Sequence, residues 1–167
     1  MRAKMVSVFP MLMVLALAVT ASAQTKISGT CKCNKPDKQS VDVPDRAGHM
    51  YMIVQAKCTW TQPMELDGVQ TKEGVTTGME DVTGNTSRGR GTYVDTMANG
   101  DKCHIRFQGS SALKDGQYQS AEGTWSYAGG TGKFKGLKGK GTYKGSANAD
   151  GSVTYAIDGE YQLHTKK

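Results

Sequence analysis

Four cysteines, Cys31, Cys33, Cys58 and Cys103, are the side chains best equipped for chemistry in this chain. An even cysteine count in an exported protein reads as two disulfides, and four thiols allow three connectivities. A Cys31–Cys33 bridge would close a small, strained ring. Long-range pairing of the two N-terminal cysteines with Cys58 and Cys103 is therefore expected, each bridge contributing on the order of 2–4 kcal/mol. The same thiols, with His104 or a methionine, present soft donors suited to zinc or copper(I). The C-x-x-C spacing of common zinc sites is absent, so neither a metal nor another cofactor is expected. No helix N-terminus is in view to lower the pKa of Cys31 or Cys33, which argues against a redox role.

Acid–base catalysis would require a carboxyl or imidazole placed in apolar surroundings. Alternation along the chain sets Glu122, Asp158 and Glu160 opposite the apolar faces of their segments, towards solvent. Asp95 shares a face with Tyr93 and Met97, and Asp81 with Val75 and Met79. Asp95 and Asp81, with Tyr93 beside the first, are thus the catalytic candidates, although a hydrogen-bonded structural aspartate is the simpler reading. His49, His104 and His164 lie far apart and show no ligand spacing, and no G-x-S-x-G signature is present.

These side chains must be positioned by strands. No window repeats apolar residues at helical spacing, whereas period two is clear: Met52, Val54, Ala56, Cys58 and Trp60 share one face between Met50 and Trp60. Asn99-Gly100 supplies the positive φ values of a hairpin between Gly91–Met97 and Lys102–Gln108. Cys103, Ile105 and Phe107 then share a face, as do Ala121, Gly123, Trp125 and Tyr127. Ala149-Asp150-Gly151 turns Gly139–Ser146 into Ser152–Leu163. Further strands are expected at Lys26–Cys33, Val69–Thr83 and Gly116–Tyr127, and residues 34–48 are expected to form the long loop. Roughly eight antiparallel strands, each with one apolar face, are best satisfied by a closed barrel, which removes exposed sheet edges. Met52, Val54, Trp60, Phe107, Trp125, Tyr127 and Tyr155 fall on interior faces. They either fill the core or line a cavity for a small apolar ligand.

Residues 1–23 have the form of a secretory signal: Arg2 and Lys4, an apolar run from Met11 to Val19, and Ala21-Ser22-Ala23 as the cleavage site. Cleavage after Ala23 leaves one domain, 24–167, secreted or periplasmic, with formal charge falling from +6 to +4 as Arg2 and Lys4 depart. That mild basicity is no nucleic-acid footprint. The polar alternate faces and a mean hydropathy of −0.50 oppose a lipid-facing barrel, so no membrane span is expected. Lys133, Lys135, Lys138, Lys140 and Lys144 read as a solvated edge.

The run Gly129-Gly130-Thr131-Gly132-Lys133-Phe134-Lys135-Gly136-Leu137-Lys138-Gly139 has the wrong spacing for a dinucleotide fingerprint or a phosphate loop. It resembles the G-G-T-G-x-F-x-G-x-x-G turn-and-strand motif of the allene oxide cyclase and dirigent barrel superfamily, over about 15 residues, as a bacterial-type secreted member. The N-terminal cysteine cluster departs from plant members. The resemblance implies an eight-stranded antiparallel barrel with a possible apolar cavity, and a possible homo-oligomer; no catalytic residue is carried over. Two functions are weighed: a secreted, non-enzymatic barrel that binds a small hydrophobic molecule or serves the envelope structurally, and a cyclase-like or dirigent-like enzyme confining a reactive apolar intermediate. A buried acid beside Tyr93 would favour the second.

Overall fold

The computed structural model describes residues 24–163, so the export signal expected at 1–23 and His164 lie outside the described residues. Ten strands follow in order: β1 (Thr25–Cys33), β2 (Asp37–Asp42), β3 (His49–Gln62), β4 (Glu65–Leu66), β5 (Val69–Thr83), β6 (Thr86–Met97), β7 (Lys102–Lys114), β8 (Gln117–Gly130), β9 (Lys138–Ala147) and β10 (Val153–Gln162). Eight close a ring of antiparallel neighbours, β1-β10-β9-β8-β7-β6-β5-β3 and back to β1. The chain is an all-β, closed antiparallel barrel. Among the described residues no helix is long and apolar enough to cross a membrane.

Strand β2 falls within residues 34–48, where a loop was expected. It continues the line of β1 along β3, from Asp37 opposite Gln55 to Asp42 opposite Met50, with no strand on its other side. Its sequence, Asp-Lys-Gln-Ser-Val-Asp, lacks alternation because five of its six residues are exposed. Charge on such an edge discourages pairing with another chain.

A second correction concerns β5. Thr71 is buried, the register shifts between Thr71 and Glu73, and burial resumes at Gly74, Gly78 and Val82. One extra residue in a bulge exchanges the two faces of all that follows. Val75 and Met79 consequently lie outside, 37% and 57% exposed, and Asp81 lies outside with them. Asp81 Oδ1 meets His49 Nε2 at 3.2 Å, while His49 Nδ1 meets Asp45 Oδ1 at 2.5 Å. That hydrogen bond from His49 holds the Asp45 carboxyl below its ordinary range. Asp81 thus belongs to an outer clasp on the loop before β3 and is withdrawn as an interior acid.

Leu66, Met97, Phe134 and Leu137 are almost fully buried and close the end of the barrel where β5 begins and β8 ends. Phe134 and Leu137 come from the glycine-rich turn, which is a single 3-10 turn, Gly132–Phe134. Its lysines, Lys133, Lys135, Lys138, Lys140 and Lys144, stand in solvent. The turn's donors are already used: the Lys133 amide and the Thr131 hydroxyl both donate to the Asp101 carboxylate, at 3.1 and 3.3 Å. At the opposite end Met52, Val82 and Leu113 form a smaller cluster with Tyr118 packed on it.

Candidate functional site

Between these two apolar ends the barrel holds a half-open cavity of about 140 Å³ with eight aromatic rings in its wall. Trp60, Tyr93, Trp125 and Tyr127 line it, together with Phe107, Tyr118, Tyr143 and Tyr155. Val54 also lines it, whereas Met52 belongs to the end cluster. Sequence alternation thus placed seven of the nine lining side chains named on the correct face, and missed Tyr118 and Tyr143.

The rings fit because neighbouring strands carry glycine where they lie. A Cβ on Gly74 would stand 2.3 Å from the Tyr93 hydroxyl, one on Gly145 2.5 Å from Tyr155, and one on Gly159 2.4 Å from Trp125. Gly109 and Gly123 together make room for the Tyr143 hydroxyl. Glycine within a strand marks such close approach. The pattern Gly-x-Gly-x-Tyr at Gly139–Tyr143 was the available signal for Tyr143.

Two carboxyls face inward. Asp95 is 1% exposed, and its Oδ1 accepts a hydrogen bond from Trp60 Nε1 at 2.9 Å. Burial pushes its pKa up to about 7, against the smaller lowering effect of the Trp60 bond. Asp95 sits behind the wall that Trp60 and Tyr93 present to the cavity. The Tyr93 hydroxyl is buried without a hydrogen-bond partner among the described residues, and burial, then the Asp95 charge, raises its pKa. An unpaired buried hydroxyl costs about 1–3 kcal/mol, so it is a group awaiting a partner.

The second carboxyl is Glu80, which alternation at the sequence level could not place because the bulge precedes it. Its side chain crosses β6 over Gly89, accepts a hydrogen bond from the Ser87 hydroxyl and lines the cavity. After desolvation, its charge contributes to the raised pKa values of Tyr118, Tyr143 and Tyr155. Near it Lys38 of β2 reaches across to the β7–β8 turn, donating to the Gly116 carbonyl at 2.9 Å with its ammonium 4.8 Å from the centre of the Tyr118 ring.

One of the two expected long-range bridges is present and the other is not. Cys33 and Cys58, directly opposite on β1 and β3, form a disulfide, while Cys31 and Cys103 are buried free thiols. Burial, then the Asp95 charge, pushes both thiols up to about 12, which suppresses the nucleophilic thiolate. Among the described residues no group of three or more His, Cys, Asp or Glu is arranged to hold a metal ion. Thiol titration should find no reactive thiol in the native protein and two after denaturation without reductant, with one Cys33–Cys58 peptide pair on mapping. Four thiols, or a Cys103-containing bridge, would contradict this arrangement.

No family model and no curated protein matches the sequence. Among solved structures the chain is similar to a pterocarpan synthase dirigent protein, at 14% identity and a TM-score of 0.49, over 95% of this chain and 100% of that one. The barrel assignment rests on the strand pairing of this chain itself.

Proposed function

We propose that this protein is an exported, non-enzymatic barrel that binds a small, largely apolar molecule in its central cavity. The observation that carries this reading is the half-open, aromatic-lined cavity with Tyr93 in its wall, the Tyr93 hydroxyl being buried and unpartnered among the described residues. A cavity near 150 Å³ is known to accept one benzene, so about 140 Å³ suits a single ring with short substituents. Tyr93 would donate to an oxygen on such a ligand. The Cys33–Cys58 disulfide is compatible with an oxidising compartment, and the form of residues 1–23 supports cleavage after Ala23.

Titration calorimetry with benzyl alcohol tests the binding. Tyr93→Phe is expected to weaken it about tenfold, while toluene binding is unchanged or slightly improved. Equal loss for both ligands would mean that Tyr93 shapes the cavity and donates nothing.

A second reading is favoured by Asp95 beside Tyr93. In a cyclase-like or dirigent-like role the aromatic wall would confine a reactive apolar intermediate, Tyr93 would contact it, and Asp95 would act through Tyr93 as a positioning residue. Asp95 lies behind the wall, which is why binding without chemistry is preferred.

A further inference from the structure

The wall around Glu80 has a composition that a purely apolar ligand does not need. Glu80 lines the cavity and has no ion-pair partner among the described residues. Rings share the cavity wall with it, Tyr118, Tyr143 and Tyr155 among them. Tyr143 stands edge-to-face with Phe107, at 6.2 Å and 89°, and with Tyr155, at 6.0 Å and 70°. Successive rings are therefore turned like the sides of a box rather than stacked. Aromatic rings carry negative charge on their faces, and a cation among them is attracted more strongly when it is desolvated. A carboxylate beside such rings adds a counter-charge in a site of low dielectric.

One wall ring is already used in this way. The Lys38 ammonium lies over Tyr118 and donates to the Gly116 carbonyl; the Glu80 charge also acts on it, although the two form no ion pair. Among the described residues no cation lies over Phe107, Tyr143 or Tyr155.

We propose that the natural ligand of the cavity is a small organic cation, a primary or substituted ammonium on a short apolar or single-ring body. Glu80 supplies its counter-charge, and Phe107, Tyr118, Tyr143 and Tyr155 supply its cage. This inference rests on the ligand-binding reading above and narrows the ligand class. The apolar body points towards Trp60 and Tyr93, and the ammonium towards Glu80. Anionic molecules of the same shape are excluded by Glu80 and by the buried Asp95 behind the wall.

Three ring compounds that differ only in charge decide the matter on the unmodified mature protein: benzylamine, benzyl alcohol and benzoate, compared by calorimetry at neutral pH. Benzylamine is expected to bind about tenfold more tightly than benzyl alcohol, with benzoate weakest. Glu80→Gln should abolish the preference for benzylamine while leaving benzyl alcohol within about twofold. Benzyl alcohol binding as well as or better than benzylamine overturns the cation assignment and leaves the cavity-binding reading intact. If none of the three binds, the cavity-binding reading itself falls, and this inference with it. The comparison on the unmodified chain decides even if Glu80→Gln does not fold.

Discussion

Asparagine in place of Asp95 is expected to stabilise the barrel by about 4 kcal/mol at pH 8 and to change little at pH 4. Burial raises this carboxyl from the ordinary 3.8 to about 7, so the folded protein holds a proton that the unfolded chain releases. Below the unfolded value both states are protonated and Asp95 carries no penalty. Between about 4 and 7 only the unfolded chain ionises freely, and stability falls as pH rises. Above the folded value the penalty is complete, at about 1.4 kcal/mol per unit of displacement. Asparagine keeps an oxygen for the Trp60 N–H and has no charge to desolvate.

Urea midpoints of both proteins at pH 4, 6 and 8 measure the difference. Asp45, Asp150 and Glu160 are held below the ordinary carboxylate range by hydrogen bonds from His49, Ser152 and Lys26, so their effect has the opposite sign and is lost as pH falls. They are common to both proteins and cancel in the comparison. Parallel stability profiles would show that Asp95 ionises as an ordinary surface acid does. That result would also remove the reason to give Asp95 a positioning role through Tyr93.

Gly74→Ala is expected to cost about 2–3 kcal/mol and to lower ligand affinity at least tenfold. The added methyl would lie 2.3 Å from the Tyr93 hydroxyl oxygen, 2.4 Å from Cζ and 2.8 Å from Cε2. All three atoms belong to one rigid ring, and Gly74 has an ordinary φ, so the clash is with Tyr93 and the backbone is not itself strained. The ring must swing into the cavity and occupy the ligand's space. Replacing Tyr93 by leucine in the same chain should relieve most of the cost. A double-mutant cycle by thermal unfolding is expected to give a coupling of at least about 1 kcal/mol. Additive effects would mean that the methyl is resisted by something other than Tyr93.

The barrel was legible because its strands alternate over long stretches. Met52 to Trp60 and Cys103 to Phe107 lie in strands whose one face is buried throughout, so side-chain type reports face directly. Asp95 and Tyr93 were placed correctly for the same reason. Alternation failed where geometry rather than composition decides. Strand β2 is exposed on both faces and shows no contrast, and the shift between Thr71 and Glu73 reverses β5 without any marker residue. The disulfide was only half legible: Cys33–Cys58 follows from the β1–β3 register, which no residue pattern announces. Tyr143 was hidden because the Gly139–Ser146 segment was given no interior face, and because the room for its hydroxyl is made by Gly109 and Gly123 on other strands.

The bulge in β5 also governs how this barrel can be compared with others. It makes the identity of the interior acid a matter of counting: Glu80 and Asp81 are adjacent carboxylates, and the residue count through Thr71–Glu73 selects which of them faces the cavity. Two chains could match at every residue from Gly74 to Thr83 and still enclose different interiors if one lacked a single residue upstream. An aligned column at Glu80 therefore has functional meaning only together with the length of the segment before it, and homology in this strand is a property of spacing as much as of sequence.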